Sequence, residues 1–307
     1  MDIDQLLHSV VAIRASIPDD AFTARTLGTL REGSGVVIRD NGLVLTIGYL
    51  ITEADEIWLT TKDGRVVPGH ALAIDQTSGF GLVQALGRLD LPALKFGDSA
   101  KARRGDPVTI ADGGGQVVAA NIVSTQEFAG YWEYLLEEAI LTAPAHPSWG
   151  GAALIDSQGK LLGIGSLRLE TSGTGGGDED EDNFDINMVV PINLLPPILD
   201  DLLSRGHADE RSRPWLGVFS ADSDGKVVIV SLAETGPAAA AGLREGDIIT
   251  DVRDEAVADL ADFYRKVWSS GPAGTEIPIR IVRNGRDAWM RVKSADRRSF
   301  LKKPRLQ

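Results

Sequence analysis

Short β-branched runs separated by Asn-Gly and Asp-Gly turns dominate residues 33–167, and that alternation constrains the fold more than any other feature. GSGVVI (33–38) meets DNG (40–42) before GLVLTIGYLI, and EIWLTT (56–61) meets KDGR (62–65) before VVPGHALAI. PVTIA (107–111), QVVAANIVS (116–124), EAILTA (138–143), AALID–SQG–KLLGIGSL (152–167) and INMVVPI (186–192) continue the pattern. Strands this short, broken by residues that accept a left-handed backbone, form hairpins and close into barrels or sandwiches. A helical period occurs at 192–204, where Leu194, Leu195, Ile198, Leu199, Leu202 and Leu203 fall on one face. Pro196-Pro197 puts the expected start of that helix near 196, because proline lacks the N–H a helix interior needs.

The C-terminal third reads differently. KVVIVSL is a strand, and GPAAAAGL sets Pro237 just inside a short helix that Gly242 ends. Residues 259–269 space Leu260, Phe263, Tyr264, Val267 and Trp268 as one apolar stripe, with Asp259 as the cap. A hairpin through Asn284-Gly285 closes a compact β-rich module with two helices. Charge divides at the same place. Residues 211–307 hold 17 Lys/Arg against 13 Asp/Glu, a net +4, which leaves 14 against 31, a net −17, for residues 1–210. SRGHADERSRP, around 205–213, reads as the connector.

Composition removes several functions. With 307 residues the chain is long enough for about two domains. A net charge of −13 argues against a phosphate-backbone binder, so no nucleic-acid partner is expected. The absence of cysteine excludes a thiol nucleophile and thiolate-held metals, and the four histidines (8, 70, 146 and 207) never reach metal-site spacing. Neither a metal nor another cofactor is expected. No stretch approaches the roughly 20 apolar residues of a membrane span. The N-terminal MDIDQLLHSVVAIRAS lacks the basic and long apolar regions of a signal peptide, so the chain as written is expected in the cytoplasm; a trimmed N-terminus would make it periplasmic.

The string from Gly33 to Asp75 resembles the HtrA/DegP family of trypsin-like serine proteases, as do LPALKFGDSAKARRGDPVTIA, GGAALIDSQGKLLGI and NMVVPI. PWLGV…GPAAAAGLREGDIITDV…FYRKVWSSGPAGTEIPIRIVRNGR is similar to that family's C-terminal PDZ domain. The resemblance implies a mainly β chain with a chymotrypsin/trypsin-like double β-barrel followed by an α+β PDZ domain. The implied boundaries are a protease-like domain over 1–205 (barrels at about 1–100 and 101–192, then a linker helix), a PDZ domain over 212–296, and a basic tail over 297–307.

The catalytic positions depart from the family. A segment like LTNxHV reads LTIGYLI here, with Tyr49 in place of the catalytic His. DxxTDLALL reads DQTSGFGLV, with Gly79 in place of Asp, and PGNSGGPLL reads PSWGGAALI, with Gly150 in place of the nucleophile. A serine hydroxyl needs a base, and the base needs an orienting group. Gly150 has nothing to attack with, Gly79 orients nothing, and tyrosine, with a reference pKa of about 10 against about 6.5 for histidine, is a poor base near neutrality. An oxyanion hole alone leaves roughly a 10³- to 10⁴-fold advantage over water. The expectation is a pseudoprotease, with no catalytic residues. Ser148 and His146 are the substitute candidates for a non-standard serine endopeptidase, against a plain reading as loop residues; Ser148 lies in the turn that normally forms the oxyanion hole.

The resemblance carries peptide binding onto Trp215, Leu216, Gly217 and Val218, which match the PDZ carboxylate loop and the strand after it. Leu260, Tyr264 and Val267 are the groove wall, with membership of the module's core as the alternative. The partners implied are peptides or protein C-termini, in a scaffold, adaptor or chaperone-like role in bacterial protein quality control. A structural assembly component is the third possibility. The resemblance implies a homo-oligomer, a trimer built through an N-terminal aromatic segment, against which stands Phe22 as the one aromatic residue of that stretch here. The acidic run at 178–185 follows glycines and lacks EF-hand spacing, so it reads as a solvated loop; the cation site was the alternative. GGGQ (113–116) is a turn, since no Lys-Ser/Thr follows it. The tail at 291–307, with seven bases and one acid, reads as a solubilising segment or as a contact to the acidic barrels, a partner or an anionic polymer.

Overall fold

A computed structural model describes residues 6–170, 185–208 and 212–303. The chain divides into two compact units: Met1–Gln126, Glu138–Asp209 and Lys302–Gln307 form the first, and Glu127–Glu137 with Glu210–Leu301 the second. The first unit holds two closed barrels. Barrel one is built from β1 (Val10–Ser16), β2 (Leu30–Arg39), β3 (Leu43–Ile47), β4 (Glu56–Thr60), β5 (Val66–Ile74) and β6 (Phe80–Ala85), in the order β1-β2-β3-β6-β5-β4. Barrel two uses β7 (Pro107–Ala111), β8 (Val117–Gly130), β9 (Tyr134–Ala143), β10 (Ala153–Asp156), β11 (Leu161–Glu170) and β12 (Asp185–Pro191), ordered β10-β11-β12-β9-β8-β7. Closure leaves no free sheet edge.

Val36, Val44, Leu45, Leu59, Leu82 and Val83 of barrel one are fully buried, and Val108, Ile110, Ile122, Ile140, Leu154 and Val189 form the core cluster of barrel two. The fold is mainly β: two closed six-stranded barrels are followed by a smaller unit of one sheet with helices. Two local expectations change. The helix expected from about 196 starts at Leu199 and runs to Arg205, after a 3-10 turn at Ile192–Leu194. The two prolines supply no amide hydrogen through the first turn, and of the six apolar positions only Leu195 and Leu202 are fully buried. The second change is larger: β8 runs to Gly130 and β9 begins at Tyr134, so the hairpin between them extends beyond the runs at 116–124 and 138–143. Its tip, Glu127–Glu137, belongs to the second unit rather than to a domain spanning 1–205.

The second unit's sheet contains β13 (Val218–Ser223), β14 (Lys226–Leu232), β15 (Ile248–Val252), β17 (Glu276–Arg283) and β18 (Arg286–Lys293) in the order β13-β14-β15-β17-β18, with the short β16 (Glu255–Ala256) on β15. Asn284 at φ 51° and Gly285 at φ 72° make the tight turn between β17 and β18, the left-handed pair that such a turn requires. The helix Leu260–Ser269 starts where Asp259 accepts a hydrogen bond from the Asp262 amide at 2.7 Å. Its apolar stripe packs on Leu216, Val218, Ile229, Ile249, Ile279 and Ile281. The proposed separate tail does not begin at 297. Residues Arg297–Ser299 form a 3-10 turn, and Phe300 sets its ring 4.9 Å from that of Trp215, because an aromatic side chain gains more by packing than by staying solvated. The acidic run up to residue 184 lies outside the described residues.

Candidate functional site

Of the positions that the resemblance sets against the triad, Gly150 faces Tyr49, and Gly79 bonds to Gly48 beside it. Tyr49 sits in the 3-10 turn Gly48–Leu50 that follows β3. Its Oη donates to the Ser166 carbonyl of β11 at 2.9 Å. Burial pushes that hydroxyl's pKa far up, against a side-chain hydrogen bond with Trp149, so it stays protonated. A β-carbon built on Gly150 would lie 2.9 Å from the same oxygen. Tyr49 therefore holds the space into which a serine side chain would project. Gly79 closes a turn at φ 82°, donating its N–H to the Asp75 carbonyl at 2.9 Å and accepting from the Gly48 amide at 2.7 Å. It connects to the Tyr49 turn through backbone alone.

Ser148 and His146 come together, but through the wrong atoms for nucleophilic catalysis. The His146 Nδ1 accepts from the backbone N–H of Ser148 at 3.0 Å, and its Nε2 lies 3.3 Å from the Gln116 carbonyl. In that pair of contacts Nδ1 is the acceptor and Nε2 faces a carbonyl. His146 is fully buried, and its own amide donates to Asn187 Oδ1 at 2.6 Å. Both ring nitrogens are thus engaged by backbone groups, and the Ser148 amide is turned toward the imidazole. Among the described residues no group of three or more His, Cys, Asp or Glu is placed to hold a metal ion.

A second constellation lies in the PDZ unit. The backbone amides of Leu216, Gly217 and Val218 converge on the Glu133 carboxylate. Oε1 accepts from Gly217 at 2.7 Å, from Val218 at 3.0 Å and from Leu216 at 3.2 Å, while Oε2 accepts from Leu216 at 3.0 Å. Gly217 is needed at φ 78°, and a β-carbon there would meet the Trp215 ring at 3.1 Å. The glycine thus serves its own loop as well as the approach of a ligand. Trp215, expected on the binding surface, is instead packed away against Phe300, and its backbone bridges to Ala295.

Further hydrogen bonds join the rest of the hairpin tip to the same unit. The Ser220 amide of β13 donates to the Tyr131 carbonyl at 2.8 Å. Tyr264 Oη donates to the Gly130 carbonyl at 2.8 Å and accepts from the Glu133 amide at 3.2 Å. Ala129 and Leu135 pack against the PDZ core, and Glu127 pairs with Arg265. Of the three expected wall residues, Tyr264 touches the hairpin, whereas Leu260 and Val267 are buried in the module's core. Sequence reasoning missed residues 127–137 altogether. The available signal was Phe128, Tyr131, Trp132 and Tyr134 falling within seven residues, at a turn whose remaining side chain is an acid.

Burial raises the Glu133 carboxyl to about 7 from an ordinary 4.5, opposed by the amides of Leu216, Val218 and Gly217 and by the Arg297 charge. Tyr264, the titratable side chain facing it from the helix, has its own pKa pushed far up by burial and by the Glu133 charge. A raised carboxyl pKa means that the docked state holds its proton more tightly. Docking is therefore fully favoured below about 4.5 and weakens as pH rises through about 7. A ¹³C carboxyl titration of Glu133 is expected to show a midpoint near 7; a midpoint at or below 4.5 would mean that the amides outweigh burial.

With this geometry in view, the chain matches the trypsin-like peptidase domain family over residues 33–164 and the PDZ domain family over residues 214–293. It is 29% identical over 288 residues to the "Probable periplasmic serine protease do/HhoA-like" of Haemophilus influenzae, covering 86% of this chain and 58% of that one. It is 26% identical over 300 residues to the "Serine protease Do-like HtrA" of Lactobacillus helveticus, covering 87% and 69%. To "Serine protease PepD" of Mycobacterium tuberculosis it is 29% identical over 264 residues, covering 80% and 56%. The chain thus spans little more than half the length of two of these three relatives. Among solved structures, "HtrA-type protease AlgW with decapeptide" superposes with a TM-score of 0.55 at 22% identity, covering 99% of this chain and 98% of that one. The serine endoprotease from Yersinia pestis gives 0.55 at 22%, covering 96% and 98%. These two structures share the fold. A trypsin-like peptidase domain and a single PDZ domain, in that order and with these relatives, make the chain HtrA/DegP-like.

Proposed function

We propose that this chain is a catalytically silent HtrA-type protein that binds peptides or protein C-termini through its PDZ groove, as a scaffold, adaptor or chaperone-like partner in protein quality control. The observation that carries the reading is the convergence of three consecutive amides, Leu216, Gly217 and Val218, on one carboxylate. Backbone nests of this kind capture a terminal carboxylate while the ligand strand adds to a sheet edge. The silent half of the reading rests on Gly150, which has no nucleophile, and on the buried Tyr49 hydroxyl that fills the space beside it. Against a substitute pair, His146 spends Nδ1 on the Ser148 amide. A periplasmic setting is part of the proposal, supported by the name of the Haemophilus relative; among the described residues no helix is long and apolar enough to cross a membrane.

Two assays test the halves separately. Incubation with unfolded casein and a fluorophosphonate is expected to give neither cleavage nor labelling; stoichiometric labelling at Ser148 would overturn the silent half. A peptide library with free C-termini is expected to select apolar ends, with binding lost on amidation of the peptide and on Gly217→Arg. Equal binding of acid and amide would overturn the groove half without any change to the protein.

A further inference from the structure

We propose that the hairpin tip 130–133 is a resident ligand of the PDZ groove, with the Glu133 side chain standing in for a peptide's terminal carboxylate, and that outside peptides bind by displacing it. The proposal rests on the groove reading above and adds its regulation. Three independent features support it. The carboxylate accepts all three loop amides, so the loop has no free donor for a second carboxylate while Glu133 is docked. The Tyr131 carbonyl occupies the Ser220 amide, two residues along β13 from Val218, which is where the backbone of an added strand pairs. Leu135 and Ala129 cover part of the apolar surface of the module's core.

The hairpin is built for presentation. Glu133 takes a left-handed φ of 59°, which aims its side chain from the turn into the loop. Trp132 stacks on Tyr134 with ring centroids 5.4 Å apart, and Tyr131 meets Trp132 edge-on at 5.0 Å and Phe219 of β13 at 6.0 Å. The aromatic cluster holds the turn in shape and seats it on the strand it imitates. A group tied to the same chain competes at high effective concentration, so the apparent affinity of any outside peptide falls by the fraction of molecules in which the groove is open.

The test uses the full chain and a fluorescein-labelled decapeptide ending Gly-Tyr-Trp-Val, which keeps the Gly130-Tyr131-Trp132 order but carries a free carboxylate; its amide is the control. Glu133→Ala and Glu133→Lys, neither of which can accept the loop amides, are compared with the parent by fluorescence anisotropy and by hydrogen exchange across residues 215–221. The expected result is binding tighter by about tenfold or more in both variants, no binding of the amide, and faster exchange at Leu216, Gly217, Val218 and Ser220. Unchanged exchange, or equal affinity in parent and variants, would overturn the resident ligand. Faster exchange with no binding of the acid peptide by any form would instead overturn the groove as a site for outside C-termini, and displacement with it. Thermal melts that overlay the parent's separate these outcomes from misfolding.

Discussion

Gly150→Ser alone is expected to yield an inert and less stable protein. Its new β-carbon would stand 2.9 Å from Tyr49 Oη, and that hydroxyl is itself bonded to the Ser166 carbonyl. Overpacking a tight site of this kind costs about 1–3 kcal/mol. Tyr49→His/Gly150→Ser removes the obstructing hydroxyl and is expected to recover most of that loss. Fluorophosphonate labelling should remain at background for both, because Gly79 still orients nothing. Adding Gly79→Asp introduces a side chain at φ 82°, where L-residues are strained by about 1–2 kcal/mol. Even the triple variant finds the Ser148 amide spent on His146 Nδ1, and a missing oxyanion donor costs about 10²- to 10³-fold in rate. Stoichiometric labelling of Gly150→Ser, or a melting temperature equal to the parent's, would contradict this account.

Arg31→Met should cause the largest loss of stability among single substitutions outside the apolar cores. Arg31 is a buried cation whose Nη1 donates to the carbonyls of Tyr49 at 2.7 Å and Thr52 at 3.0 Å, while Nε donates to Gly28 at 3.1 Å. Its Nη2 reaches Thr23 Oγ1 at 2.8 Å, and that hydroxyl donates on to Glu53 Oε2 at 2.6 Å. Burial pulls the Arg31 pKa down to about 10 while the Glu53 charge opposes it, the mark of a cation kept in place by its partners. Removing one member of a buried charge network costs about 3–5 kcal/mol. For a unit of this size that corresponds to a fall of roughly 6–20 °C in the melting temperature. Differential scanning calorimetry on the first unit's transition checks this; a change below about 0.5 kcal/mol would place Arg31 with ordinary surface residues.

Acid should erode the same network. Burial pushes the Glu53 carboxyl up, but hydrogen bonds from the Lys302, Thr23 and Phe22 amides and the Thr23 hydroxyl outweigh it and hold it below its ordinary 4.5. Its contribution is present above 4.5 and lost as pH falls through the lower folded value. Lys302 belongs to the same network: its backbone amide reaches Glu53 at 2.9 Å, and its ammonium pairs with Asp20.

The hairpins and the two architectures were legible in the linear chain because their signals are local. A turn such as Asn284-Gly285 needs only two residues that accept a left-handed backbone, and alternating β-branched runs on either side supply the pairing faces. The residues at 215–218, Tyr49, Gly79 and Gly150 could be singled out by the motifs around them. What those residues touch could not. The bonds from Leu216, Gly217 and Val218 to Glu133 join positions 83, 84 and 85 residues apart, and no period or turn preference encodes such a contact. The 2.9 Å clash that Tyr49 would impose at Gly150 likewise spans two barrels. Local chemistry determined which strands form. Only tertiary packing, which brings buried donors to whatever acceptor can satisfy them, decided that the amides of Leu216, Gly217 and Val218 meet the Glu133 carboxylate.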